Sequence, residues 1–196
     1  MFPMRAATGS PIGDPFTAHI SPVWAVAVAE LDGRPVVISG SDDHTVRIWD
    51  LATRTLVGVP FTGHALPVRA VAVADLDGQP LVISGGDDRT VRVWDLVTGA
   101  PIGDPFACTN GPVLSVAIAA VADCPDPRAR NKHLRLVIGE GGTVSVQALS
   151  RISDTVTWTQ IVAPQIGSRV LATAWHPPRT LIVGAEPGIV VLEVSS

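Results

Sequence analysis

The sequence predicts an all-β fold built from repeated four-stranded antiparallel sheets, and three observations lead there. A 32-residue stretch from Pro22 to Thr53 recurs from Pro67 to Thr98, displaced by 45 residues and identical at 24 of 32 positions. Inside each copy apolar and β-branched residues follow a period of two, as Val68, Ala70, Ala72 and Ala74 do against Arg69, Val71 and Val73. Between these runs stand Asp-Gly and Asp-Asp pairs at fixed offsets, each a chain-reversal signal. Repeats stabilise one another through neighbour contacts, so the number of units matters more than the 196-residue length.

The elements of a unit follow in order. AVAVA at 25–29 and again at 70–74 is the first strand, closed by LDGR (31–34) or LDGQ (76–79), where Asp-Gly favours a tight hairpin. VVISG or LVISG is the second strand, and SDDH (41–44) or GDDR (86–89) turns it into the third, TVRIWD or TVRVWD. The outer strand is short and carries proline, LVGVPF at 56–61 and PIGDPF at 101–106. Proline lacks a donor and belongs on a sheet edge. Four strands with an edge strand last make the layout of a propeller blade.

A third unit starts in register at Pro112 but carries an eight-residue excess, and the polar, Pro-rich CPDPRARNK (124–132) is expected to be an extended surface loop. Its strands are expected at LRLVIG (134–139), TVSVQAL (143–149) and TVTWTQIV (155–162). The fourth unit reads RVLATAW, HPPRTLIVG and GIVVLEV and lacks an outer strand of its own. GSPIGDPF at 9–16 matches GAPIGDPF at 99–106, so an outer strand over 9–17 stands at the start and is able to complete the last sheet. The expected organisation is a tail at 1–8 and a repeat region at 9–196, with units at about 18–61, 62–106, 107–162 and 163–196.

Composition narrows the function classes. Hydrophobic residues are 46% and charged ones 16%, with a formal charge of -4 and no basic cluster, which argues against a nucleic-acid groove or an anionic-membrane patch. Cys108 and Cys124 are too few for a disulfide framework or a thiolate zinc site. The N-terminus lacks an apolar signal region, and apolar runs break well before the ~18 residues a span needs. A cytoplasmic chain is expected, and Lys132 as the sole lysine among 14 basic residues points to a high-GC bacterial, actinobacterial-type coding sequence.

Gly63-His64, Val68, Ser84, Asp88 and Trp94-Asp95, with His19, Val23, Ser39, Asp43 and Trp49-Asp50 one unit earlier, resemble the WD-repeat (WD40) β-propeller family. That resemblance implies about four four-stranded blades, incomplete or closed by the N-terminal strand. It also implies a structural hydrogen-bonded tetrad in each strong unit: His19, Ser39, Asp43 and Trp49, then His64, Ser84, Asp88 and Trp94. Indole, hydroxyl, imidazole and carboxylate have donors and acceptors that can satisfy one another in that order. The pattern decays along the chain. Ala18 replaces a glycine, the third unit has Thr109, Gly141 and Gln147 at the His, Asp and Trp places, and the fourth has Glu193 near the closing pair. Apolar packing is expected to hold those last two blades.

His64, Ser84 and Asp88 also contain the elements of a nucleophilic triad. Their recurrence at the same offsets speaks for scaffolding, since a catalytic site is normally built once and scaffolding in every unit. His44, His133 and His176 are scattered, the Asp42-Asp43 and Asp87-Asp88 pairs head no loop of alternating oxygen ligands, and GEGGT (139–143) precedes no helix. Neither a metal nor a cofactor is expected, and the chain reads as a non-enzyme. The variable place in PVxAVAVA, filled by Trp24, Arg69 and Leu114, looks like a set of specificity elements for a protein or peptide partner, with Asp42 and Asp87 beside it to meet basic groups. The expected function is a non-catalytic interaction scaffold or regulatory module. A fragment of a longer array is the alternative, with a propeller hydrolase behind it, and two chains could share a ring as a homodimer.

Overall fold

The computed structural model describes residues 13–120, 133–152, 155–162, 170–176, 180–185 and 188–193. Their strands form four antiparallel sheets, each in simple meander order. Blade 1 is β1 (Val23–Leu31), β2 (Arg34–Ser41), β3 (Thr45–Asp50) and β4 (Leu56–Thr62), and blade 2 is β5 (Val68–Leu76), β6 (Gln79–Gly86), β7 (Thr90–Asp95) and β8 (Phe106–Ala107). Blade 3 is β9 (Val113–Ala120), β10 (His133–Glu140), β11 (Thr143–Ile152) and β12 (Thr155–Val162). Blade 4 is a three-stranded sheet of β13 (Val170–His176), β14 (Thr180–Ala185) and β15 (Gly188–Glu193). The first strands β1, β5, β9 and β13 lie side by side in that order, so the blades form an arc. Among the described residues no helix is long and apolar enough to cross a membrane.

The turn chemistry acts as the residues demand. Asp32 and Gly33 have φ of 51° and 73°, and Asp77 and Gly78 have 55° and 82°. Two successive positive φ values mark the hairpin turn whose twist suits the flanking strands. The aspartate after each tryptophan caps the next reversal: Asp50 Oδ1 accepts the Ala52 and Thr53 amides at 2.8 Å each, and Asp95 Oδ1 accepts Val97 at 2.9 Å and Thr98 at 2.7 Å.

Two outer strands differ from expectation. The one expected at 101–106 is reduced to β8 and an isolated bridge between Trp94 and Pro101, because Pro101 and Pro105 offer no N–H to the ladder. The one expected at 9–17 is not a strand in its described part, residues 13–17. The expected surface loop at 124–132 lies outside the described residues.

The apolar cores lie between blades rather than within them. Val36, Ile38, Val46, Ile48 and Phe61 of blade 1 pack with Val68, Val71, Val82 and Trp94 of blade 2. Leu81, Ile83, Val91 and Val93 of blade 2 pack with Val113, Leu136, Ile138 and Leu149 of blade 3. Successive side chains of a strand point to opposite faces, so Val82 faces one neighbour while Leu81 and Ile83 face the other.

A glycine sets how closely each pair of blades approaches. A Cβ at Gly40 would stand 2.7 Å from Val68 Cγ1, one at Gly85 2.3 Å from Val113 Cγ1, and one at Gly139 2.6 Å from Val170 Cγ1. The three glycines hold equivalent places on the second strand of their blades, and each receives the leading valine of the next blade. Gly85→Ala is therefore expected to overpack the joint between blades 2 and 3 and to lower the unfolding free energy by about 1–3 kcal/mol. Urea denaturation monitored by tryptophan fluorescence measures the loss.

Candidate functional site

Two groups of polar residues stand out, one inside the blades and one on their rim. The inner group repeats in blades 1 and 2. In blade 2 the Trp94 indole donates to Ser84 Oγ at 2.9 Å, Ser84 Oγ lies 2.8 Å from His64 Nε2, and His64 Nδ1 lies 2.9 Å from Asp88 Oδ2. In blade 1 the Trp49–Ser39, Ser39–His19 and His19–Asp43 separations are each 2.7 Å. One proton assignment gives every group a role: indole N–H to hydroxyl oxygen, hydroxyl O–H to imidazole Nε2, and imidazole Nδ1–H to carboxylate.

Each chain of bonds ties the segment before the first strand to the turn between the second and third. The first residue of the third strand is a member that sequence reasoning missed. Thr45 Oγ1 donates to Asp43 Oδ1 at 2.6 Å and Thr90 Oγ1 to Asp88 Oδ1 at 2.8 Å, so an Asp-x-Thr spacing present in both repeats was the available signal. Tryptophan also has a second contact. Phe61, at the end of β4, stacks on Trp94 of the next blade with ring centroids 5.6 Å apart, and Phe16 stacks on Trp49 at 5.2 Å.

Charge in these chains is fixed by two opposed influences. Burial alone would raise the Asp43 carboxyl, but hydrogen bonds from Thr45 and His19 outweigh it and bring the pKa down to about 2. Asp88 is lowered in the same way, its burial overcome by His64, the Ala65 amide and Thr90. At His64 burial wins over the attraction of Asp88, and the imidazole is held below its ordinary 6.5. A neutral His64 fits the proton assignment above.

Chemically this set is closed. Ser84 is 0% exposed and its oxygen is shared between the Trp94 N–H and His64, so no face of it meets a substrate. Among the described residues no group of three or more His, Cys, Asp or Glu is placed to hold a metal ion. Blade 3 replaces the set: by strand register Ile138 takes the serine place and Gln147 the tryptophan place. There Phe106 stacks instead on Trp158 of β12, at 5.0 Å. Burial pushes the Cys108 thiol above its ordinary pKa, as does neighbouring Glu140, which keeps the thiol form of this packed side chain.

The rim group is built on an irregularity. β1 and β5 each shift register after their first residue, so Trp24 and Arg69 occupy bulges, and Leu114 occupies the matching place on β9. A bulge re-aims the side chain it carries. Four of the five sequence-selected residues come together there. Trp24 Nε1 donates to Asp42 Oδ1 at 2.6 Å, Arg69 Cζ lies 4.5 Å from the Trp24 ring centroid, and Arg69 reaches Asp87 Oδ2 at 2.7 Å and Asp42 Oδ1 at 3.2 Å. Leu114 is half-buried. Asp42 and Asp87, which the sequence places close by as carboxylates able to pair with basic groups, both contact Arg69.

The family model described as WD domain, G-beta repeat matches residues 9–50 and 54–95 and supports a WD40 repeat domain over that part of the chain. No curated protein matches. Among solved structures, the crystal structure of the computationally designed Ika4 protein is similar at a TM-score of 0.63 and 22% identity, over 94% of this chain and 100% of that one. A chain of the mitotic checkpoint complex is similar at a TM-score of 0.68 and 24% identity over 92% of this chain, which spans 52% of that one. At such identities the likeness is one of fold.

His64→Ala leaves Ser84 and Asp88 buried without their shared partner and is expected to cost about 1–3 kcal/mol. In the wild type the unfolded chain takes a proton at His64 before the folded one does, so stability falls as pH drops below 6.5. A second loss follows as pH drops from 3.8 toward about 2, where Asp43 protonates. Thermal melts across this range check both steps, and His64→Ala removes the His64 contribution to the first.

Proposed function

We propose that the chain is a non-catalytic interaction scaffold or regulatory module that takes a peptide or protein on the blade rim carrying Trp24 and Arg69. The observation behind this is one of preorganisation. Trp24 is 55% exposed, yet its indole is anchored by Asp42 and its ring lies under Arg69. A large aromatic held in place before binding loses little side-chain freedom on capture, and Trp and Arg are the types that dominate binding hot spots. The WD40 match over residues 9–95 supports an interaction role in general terms.

The rim also favours one charge. Asp42 and Asp87 face a single guanidinium, which leaves one net negative charge and suits a ligand with a basic group near an apolar one. Leu114, one blade further along, extends the surface with an aliphatic contact.

A displayed library of random peptides selected on the immobilised chain tests this. Enrichment of peptides with basic and apolar residues is expected, with affinity weakened at least tenfold in Trp24→Ala/Arg69→Ala and a Tm within about 3 °C of wild type, as surface changes allow. Equal capture by the double variant, or its unfolding, would sink the reading.

A further inference from the structure

We propose that blade 4 of a second copy of this chain docks on blade 1, so that two four-blade arcs close into one eight-blade ring. This rests on the joints between blades and is independent of the peptide-binding rim. Each of the three internal joints buries the valine that enters the glycine: Val68, Val113 and Val170 are all 0% exposed, and Val71 is 9% exposed. The same places on blade 1 are bare, with Val23 46% and Val26 67% exposed and Val28 at 67% beside them. Leu51 is likewise open where its counterpart Leu96 is buried.

The matching socket lies on blade 4. Gly184 pairs with Ala172 across the sheet as Gly40 pairs with Ala25 and Gly85 with Ala70, which makes it the fourth member of the glycine series. The valine pair at the corresponding place ahead of it is Val23 and Val26. Knob and socket thus sit at opposite ends of one arc, with blades 2 and 3 between them.

Residues 13–17 supply an independent sign. Phe61, near the end of the outer strand of blade 1, stacks on Trp94 of blade 2 at 33°, and Phe16 stacks on Trp49 of blade 1 in the same tilted geometry at 34°. Phe16 therefore stands where the outer strand of a preceding blade would run, and no such blade is present among the described residues. Blade 4 is the sheet with three strands among the described residues. When it docks, β15 of one copy comes alongside residues 13–17 of the other, which then occupy the outer edge of that sheet.

A second copy is the occupant because knob and socket belong to the same chain and repeat its own internal joint. Head-to-tail contacts of this kind form a closed ring when the rotations complete a turn. Two sets of four sheets give eight blades, within the range of about four to eight that propellers use.

Light scattering on the purified chain at micromolar concentration is expected to give twice the 20.4 kDa chain mass. Val26→Asp, Val28→Lys and Gly184→Val are each expected to weaken association at least tenfold, leaving monomers with wild-type circular dichroism. Mixing Val26→Asp with Gly184→Val restores a dimer, since the intact Gly184 of one meets the intact Val26 of the other. A wild-type chain that stays monomeric, leaving the face to another occupant, overturns the proposal. An open-ended ladder of masses or a dimer indifferent to Val26→Asp does the same. Peptide capture measured on monomeric Val26→Asp scores the rim separately.

Discussion

The close approach of one sheet to the next, glycine against valine, is the constraint on which this molecule depends. A sheet of three or four short strands has two faces to dry, and no single blade here can dry either one. Moving a valine from water into the joint is worth about 1.5–3 kcal/mol, and neighbouring residues multiply that gain across the whole face. Val36, Ile38, Val46 and Ile48 are buried only because blade 2 lies over them, and Leu81, Ile83, Val91 and Val93 only because blade 3 does. Alanine in the first strands keeps the inner edge of each wedge thin. Stability is consequently a property of adjacent pairs.

Within that frame the Trp–Ser–His–Asp chains have a definite mechanical part. They join the approach segment, the second strand and the following turn of a single blade, and the tryptophan then offers its ring to a phenylalanine, Phe61 of blade 1 for Trp94 and Phe16 of the segment ahead of β1 for Trp49. One residue thereby serves both cohesion inside a blade and contact between blades. Blade 3 separates those two tasks. Gln147 and Ile138 abandon the hydrogen-bonded chain, while the ring contact survives because Trp158 from the outer strand meets Phe106. The aromatic contact between blades is kept where the polar chain is not.

Much of this was legible from residues alone, for a physical reason in each case. Asp-Gly turns and the alternation in β5 could be read because left-handed backbone and sheet faces each admit few residue types, whereas the tetrads were implied by the resemblance to WD-repeat proteins. Trp24 and Arg69 were visible as variable positions, but not their mutual contact, which depends on bulges that leave no mark in the alternation pattern. The nearness of Asp42 and Asp87 to these positions could be read, but sequence shows the carboxylates and hides the guanidinium folded back between them. The glycine joint was hidden too, because Gly40, Gly85 and Gly139 read as strand ends until the neighbouring valines are in place. Pro101 and Pro105 marked an edge correctly, yet two prolines so close leave too few amides for a ladder.

The sequence period and the blade are out of phase. A stretch such as 54–95 begins with the outer strand of blade 1 and ends with the third strand of blade 2, so it carries one half of a joint at each end. Copying such a stretch duplicates both halves together, and deleting it removes both. An array built this way can lengthen or shorten by whole steps without inventing any new surface.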